Sequence, residues 1–171
     1  MNINTFPTKG NLIASKNSLA LARQGYGLMD KKRNILIREL MGLIDEAKEI
    51  QKQIDTTFSA AYKALMYANI ELGIDFVSDI AGSVPVEDSI QIKTRSVMGT
   101  EIPLVRFDDS PMEPTYAYYA TRESLDKARE CFNEVKRLTV RLSMIENSAY
   151  RLARNIKKTH KRANALKNIT I

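Results

Sequence analysis

The sequence predicts a mainly α-helical protein in which two long helices form an antiparallel coiled coil, with a short β-hairpin inserted between them. Three observations support this fold class. Two long stretches of the 171-residue chain lack proline, both carry a seven-residue apolar repeat, and the segment between them holds four of the five prolines. Because proline interrupts helices and heptads specify a coiled-coil seam, the expected order is helix, insert, helix.

The proline pattern divides the chain into an N-terminal long helix at 1–75, an insert at 76–114 and a C-terminal long helix at 115–171. At about 150 residues per domain, we expect one domain, elongated by its coiled coil. At 1.5 Å per residue, the helices would run about 95 Å and about 80 Å. A single apolar stripe is not stable alone in water, so the helices are expected to pack against each other.

In the N-terminal helix, thirteen of the sixteen a and d positions are apolar. The a positions are Leu12, Leu19, Tyr26, Arg33, Leu40, Ala47, Ile54 and Ala61, and the d positions are Ser15, Ala22, Met29, Leu36, Leu43, Ile50, Thr57 and Ala64. If Leu72 lies opposite Thr115, residues whose numbers add up to about 187 face each other in an antiparallel pair. Leu12 then has no partner, which predicts that the C-terminal helix is truncated.

The C-terminal helix has the cleaner repeat, with eleven of twelve seam positions apolar. They are Ala128, Cys131, Val135, Leu138, Leu142, Ile145, Ala149, Leu152, Ile156, Thr159, Ala163 and Leu166. Three tyrosines, Tyr116, Tyr118 and Tyr119, are expected to open this helix and to pack against the insert. The seven-residue period predicts a left-handed supercoil.

The insert is expected to contain a β-hairpin at about 89–107. Residues 89–95 alternate between polar and apolar side chains, and 101–107 are rich in strand formers. We expect a three-residue turn, Met98-Gly99-Thr100, in which Gly99 adopts a left-handed conformation. Asp108, Asp109 and Pro111 are expected to end the hairpin after its second strand. Since an isolated hairpin is marginally stable, it should lean on the base of the coiled coil or on another protein.

The sequence offers no chemistry of its own. No phosphate-binding loop ending in Gly-Lys-Ser/Thr is present, so the chain is not expected to be an enzyme or to hold a cofactor. Cys131, a seam position, is interpreted as an inert buried thiol and His160 as a surface residue, and together they cannot complete a zinc site. No apolar run reaches the about 18 residues of a membrane span, and no signal peptide is apparent, so a cytoplasmic location is expected.

Charge is segregated along the chain, with formal values of +2 for 1–75, −4 for 76–114 and +8 for 115–171. Beyond Glu146 there are seven Lys and Arg residues and no acid. From these we select as candidate partner-binding residues the basic arm: Arg151, Arg154, Lys157, Lys158, Lys161 and Arg162. An acidic protein partner and a merely solvated helix face are equally good interpretations. Nucleic acid comes third, because no groove-reading motif accompanies the charge.

Three groups of residues, in order along the chain, match a set of known signatures. The first comprises Phe6-Pro7-Thr8-Lys9, Leu12, Lys16, Leu19, Ala22, Gly25, Leu28, Lys31-Lys32-Arg33, Leu36 and Glu39. The second is Arg95-Ser96-Val97-Met98-Gly99 followed by Ile102-Pro103, and the third is Lys161-Arg162-Ala163-Asn164-Ala165-Leu166. Together they resemble the signatures of one family, the D subunit of the vacuolar/archaeal-type ATPase. Family members usually continue for several helical turns beyond the position of Ile171, which again suggests a shortened chain.

The resemblance implies a non-catalytic central-stalk rotor that couples nucleotide turnover to ion translocation. Its implied partners are the catalytic A and B subunits, the F subunit of the central stalk and the funnel-shaped subunit on the membrane rotor ring. The complex would place the chain at the cytoplasmic face of the membrane without inserting it. The hairpin residues Val97, Met98 and Gly99 join the basic arm as candidate contacts. Two alternatives remain: a coiled-coil scaffold or tether of another assembly, and a basic coiled coil that binds nucleic acid.

Overall fold

The computed structural model describes residues 6–86, 88–106 and 115–170. The chain forms two compact units. Unit 1 comprises Met1–Leu43, Ser96–Ile102 and Ser148–Ile171, and unit 2 comprises Ile44–Arg95 and Pro103–Asn147. In each unit, a segment of the N-terminal long helix packs against an antiparallel segment of the C-terminal long helix, as the sequence predicts.

The N-terminal long helix, α1, spans Lys9–Leu72. It begins after Thr8, whose side-chain hydroxyl accepts a hydrogen bond from the Asn11 backbone N–H at 3.2 Å and caps the first turn. It ends at Gly73, which has a φ of +88°, a conformation open to glycine at little steric cost. A second helix that the proline pattern does not reveal, α2 at Ile74–Ser83, follows directly.

The insert contains the predicted hairpin, built from β1 at Gln91–Val97 and β2 at Thr100–Arg106. The turn is shorter than expected: Met98 and Gly99 connect the strands, and Thr100 already belongs to β2. Both turn residues have positive φ, 50° and 74°, which is the twist that a two-residue hairpin turn requires. The predicted end of the hairpin at Phe107, with Asp108, Asp109 and Pro111, lies outside the described residues.

The C-terminal long helix, α3, spans Glu123–Ala165 and continues as a π-helical turn at Leu166–Thr170. It starts later than the sequence suggests, because Tyr118–Ala120 form a separate 3₁₀ turn. The expectation for the tyrosines is therefore wrong in part. Tyr116 packs beside Val77 of α2, whereas Tyr119 is fully exposed.

The heptad seam predicts burial well. The eleven seam positions of α3 and Leu166 in the π-helical turn are all buried or half-buried, as are fourteen of the sixteen in α1. The two exceptions are Leu12 and Ser15, and Leu12 is 56% exposed. In unit 2, the Arg141 guanidinium donates a 2.6 Å hydrogen bond to the Glu46 carboxylate, which matches the predicted register.

Each unit has its own apolar core. In unit 1, Leu36 of α1 and Leu152 of α3, both fully buried, enclose Ile102 of β2. The hairpin therefore packs against the two long helices, at Leu36 and Leu152. The sequence predicts this contact at the base of the coiled coil instead. In unit 2, Ala68 and Leu125 enclose Val77 of α2. No helix among the described residues is long and apolar enough to cross a membrane.

Candidate functional site

The basic arm and the hairpin turn meet in unit 1 around an open groove of about 810 Å³. The groove is lined by Lys32, Gly99, Thr100, Glu101, Arg151, Arg154, Asn155, Lys158 and Arg162. Four of the six predicted cations of the basic arm are among these residues. The other two, Lys157 and Lys161, are exposed on α3 but do not line the groove.

Helical periodicity separates these two groups. Arg151, Arg154, Lys158 and Arg162 follow one another at spacings of three, four and four residues, which keeps them on one face of α3. Lys157 and Lys161 precede the last two of these by one residue, a rotation of about 100° around the helix axis. The basic arm therefore presents a groove face and an outer face.

The hairpin is fixed to α3 by polar contacts at the floor of this groove. The Asn155 side-chain amide donates a hydrogen bond to the hydroxyl of Thr100, a buried residue at the start of β2. The buried Thr159 hydroxyl donates a 3.4 Å hydrogen bond to the side-chain carbonyl oxygen of Asn155. One turn earlier, Arg151 donates a 3.3 Å hydrogen bond to the backbone carbonyl of Glu101. These contacts set where the turn lies relative to the cations.

The three hairpin residues selected from the sequence have different environments. Val97 is half-buried and packs against the core formed by Leu36 and Ile102. Met98 and Gly99 are exposed. Met98 holds a left-handed conformation that costs about 1–2 kcal/mol for a residue with a Cβ, and it presents its side chain to solvent at 45% exposure. A strained, exposed methionine at a turn suits a contact residue better than a structural one.

Electrostatics set the groove apart. Five cations, Lys32, Arg151, Arg154, Lys158 and Arg162, surround it, against the single carboxylate of Glu101. None of the five forms an ion pair with a carboxylate in the described part of the chain, although Arg33 nearby pairs with Asp30. Like charges four residues apart on a helix each cost about 0.2–0.5 kcal/mol. The groove thus concentrates positive charge that the carboxylates of the described residues do not neutralise by ion pairs.

The remaining residues singled out in the sequence show no catalytic arrangement. His160 is exposed and lies 3.2 Å from the Asn164 amide, and Cys131 is half-buried. Within residues 6–86, 88–106 and 115–170, no three His, Cys, Asp or Glu side chains are grouped so as to hold a metal ion. In unit 2, burial and a 2.6 Å hydrogen bond to Asp126 raise the pKa of the Tyr116 hydroxyl above its usual 10.

Four of the groove residues are not selected as candidate contacts from the sequence: Lys32, Thr100, Glu101 and Asn155. Lys32 lies in a run of three cations and could have been noticed as such. Its ammonium nitrogen lies 4.0 Å from the point where a Cβ at Gly99 would stand, a proximity that depends on how the hairpin packs. Asn155 could have been suspected as the one amide among the cations of the basic arm.

Comparisons with known proteins agree on one family. Residues 11–171 match the sequence model of the family described as the D subunit of ATP synthase. The V-type ATP synthase D subunit of Thermotoga neapolitana is 45% identical over 165 residues, covering 96% of this chain and 81% of that protein. The A-type ATP synthase D subunits of Thermococcus sibiricus and Pyrococcus furiosus are 36% and 34% identical over 168 residues each, covering 96% of this chain and 78% of theirs.

Proposed function

The chain belongs to the family of ATP synthase D subunits, and we propose that it is the central-stalk rotor of a rotary V/A-type ATP synthase or ATPase. In this role it couples nucleotide turnover in a hexamer of A and B subunits to ion translocation across the membrane. The observation that carries the proposal is the family match over residues 11–171. The helix pairs with heptad seams found in both units support it, because coiled coils resist bending and suit the transmission of torque.

The proposed rotor performs no chemistry itself. Each of its states would instead favour a different nucleotide state at the surrounding catalytic interfaces, so that rotation and binding become linked equilibria. We accordingly expect no ATP hydrolysis by the isolated chain. Its other proposed partners are the F subunit of the central stalk and the funnel-shaped subunit on the membrane rotor ring. It would lie at the cytoplasmic face as a peripheral part of the complex.

We assign contact with the hexamer to the basic arm and the hairpin turn. The exposed cations of the arm fit acidic loops, and their long aliphatic stems can pack on apolar walls while the charged groups stay hydrated. Exposed ion pairs contribute only about 0–1 kcal/mol each, which allows a turning shaft to release one set of partners and engage the next. Contact strength should therefore depend on several cations together.

The test is reconstitution with a purified A/B hexamer. Reversing Arg151, Arg154, Lys158 and Arg162 to Glu together should weaken assembly, whereas any single reversal should change it little. The matched control reverses four exposed cations of unit 2, Lys52, Lys63, Lys93 and Lys127, with the same change in net charge. Assembly that is indifferent to the groove reversal and to raised salt would contradict a role for the arm, and failure of the unmodified chain to assemble would contradict the rotor proposal.

The hairpin contact has its own test in Met98→Asn. Asparagine tolerates the left-handed conformation better than methionine, so this variant keeps the turn and removes only the exposed side chain. We expect unchanged or higher thermal stability together with reduced ATP turnover of the reconstituted complex. Turnover equal to that of the unmodified complex would show that Met98 makes no productive contact.

A further inference from the structure

We propose that the groove at the hairpin turn binds a small multivalent phosphate anion, such as pyrophosphate or the triphosphate chain of a nucleotide. The site consists of the five cations Lys32, Arg151, Arg154, Lys158 and Arg162, which come from two different helices and converge on the turn. It rests on the geometry of unit 1 and does not depend on the rotor role.

The charge of the site calls for an anion of more than one negative charge. Five cations face one carboxylate, Glu101, and none of the five is ion-paired among the described residues. Arg154 precedes Lys158 by four residues, and Lys158 precedes Arg162 by four, so each neighbouring pair is repulsive in the empty groove. A bound polyanion replaces these repulsions with attractions, and guanidinium groups match phosphate oxygens in pairs.

The site is partly organised before any anion binds. The hydrogen bond from Arg151 to the Glu101 backbone carbonyl orients that guanidinium beside the turn. The hydrogen bond between Asn155 and Thr100 ties the hairpin to α3, which fixes the turn relative to Lys158 and Arg154. Less side-chain entropy is then lost when the anion binds.

For a free ligand in solution, the lining favours a phosphate chain over an isolated acidic peptide or a nucleobase. Among the residues that the structure describes, those lining the groove are charged, polar or glycine, and none of them is aromatic or aliphatic. Peptide partners usually anchor through large apolar or aromatic side chains, and bases through aromatic stacking. A phosphate chain requires neither. It follows that triphosphate alone and ATP should bind equally well.

The experiment is isothermal titration calorimetry of the purified chain with pyrophosphate, tripolyphosphate and ATP at about 20 mM and about 200 mM NaCl. The groove variant is Arg154→Gln/Lys158→Gln. The matched control is Lys157→Gln/Lys161→Gln, which removes the same charge from the outer face of the same helix. Circular dichroism and thermal melting without ligand confirm that both variants are folded.

Removing two cations in contact with this polyanion should weaken tripolyphosphate binding by at least about tenfold, and removing two on the outer face should weaken it by about twofold or less. The proposal is overturned if the tripolyphosphate dissociation constants of the two variants differ by less than about threefold. It is also overturned if the unmodified chain binds no tripolyphosphate at low salt. A hexaglutamate peptide that binds more tightly than tripolyphosphate overturns it as well, since the groove would then select an acidic protein segment. Hexamer assembly is measured separately, so either proposal can fail without the other.

Discussion

The two units of the chain differ most in charge. Unit 1 contains 14 Lys and Arg residues against 3 Asp and Glu, a net charge of +11. Unit 2 contains 12 against 17, a net charge of −5. Together they give the formal +6 of the whole chain. The folded units therefore segregate charge more strongly than the three sequence segments suggest, because the N-terminal and C-terminal basic stretches belong to the same unit.

The units also differ in how they use their charges. Unit 2 pairs them: Arg141 bonds to Glu46, Arg137 to Glu134 and Lys48 to Asp45. In unit 1, the five groove cations form no ion pair with described carboxylates. Exposed ion pairs stabilise little, so unit 2 does not owe its fold to them. The comparison indicates that the groove cations of unit 1 are available for a partner, whereas three cations of unit 2 are held by carboxylates of the same unit.

The largest expected effects on stability come from substitutions in the two apolar cores. These substitutions test whether the two units unfold separately. Leu152→Ala in unit 1 and Leu125→Ala in unit 2 should each cost about 2–5 kcal/mol of unfolding free energy, because each leaves a cavity. Hydrogen exchange should show lost protection centred on the mutated unit. Leu21→Ala, on an exposed face of α1, is the control and should cost under about 0.5 kcal/mol. Equal loss in both units from either variant would mean that they unfold as one.

Sequence periodicity predicts the helical part of this fold because coiled-coil packing is local and repetitive. Each seam residue of α3 meets the same kind of neighbour, so the heptad alone indicates its burial. The insert is less regular. Helix α2 follows directly after Gly73, whose positive φ interrupts the helix. The pattern of prolines does not indicate whether helical structure resumes after this glycine or ends there. The turn length also escapes prediction, since a left-handed Met98 is unfavourable by local preference and is held by the packing of the hairpin.

A smaller effect is expected from the polar contact between Asn155 and Thr100. Asn155→Leu removes the hydrogen bond and leaves the hydroxyl of Thr100, a residue only 6% exposed, without its Asn155 partner, at a cost of about 1–3 kcal/mol. Adding Thr100→Val should restore part of that stability, because the Thr100 hydroxyl is then gone and only the Thr159 hydroxyl has lost its Asn155 partner. Chemical denaturation of both variants measures the difference.

The control for this pair lies in unit 2. Ser124→Ala removes an exposed hydrogen bond to Glu71, and we expect a change below about 0.5 kcal/mol. If Asn155→Leu is no more costly than Ser124→Ala, the polar contact does not fix the hairpin. The groove would then be organised by the apolar contacts of Ile102 alone.

The candidate site can be predicted from sequence only in part, because it combines a local feature with long-range packing. The basic arm is a local feature of composition and is found without a structure. Its division into two faces follows from helical spacing, but which face meets the hairpin depends on the long-range contact between Ile102 and Leu152. Lys32 enters the groove by the same route, from a residue more than 110 positions earlier than its neighbours on α3.

The smallest expected effect is a change of about 1 kcal/mol in the opening free energy of unit 1 when salt is added. It directly tests the difference in net charge between the two units. Raising NaCl from about 0.05 M to about 0.5 M shortens the screening length from about 14 Å to about 4 Å. Repulsion among the cations of unit 1 then weakens, and its hydrogen-exchange opening free energy should rise. Unit 2, whose net charge of −5 is less than half as large as that of unit 1, should change by less than half as much.

Salt also strengthens apolar packing in general, and the two causes can be separated within the same molecule. Packing acts on both cores alike, whereas screening acts on the unit that carries unbalanced charge. Arg154→Gln/Lys158→Gln supplies the matched variant: with two groove cations gone, unit 1 should start out more stable at low salt and gain less from added NaCl. If added NaCl raises the opening free energy of both units equally, and this variant does not change the result, the positive charge of unit 1 carries no energetic penalty. The availability of its cations for a partner would then rest on their exposure alone.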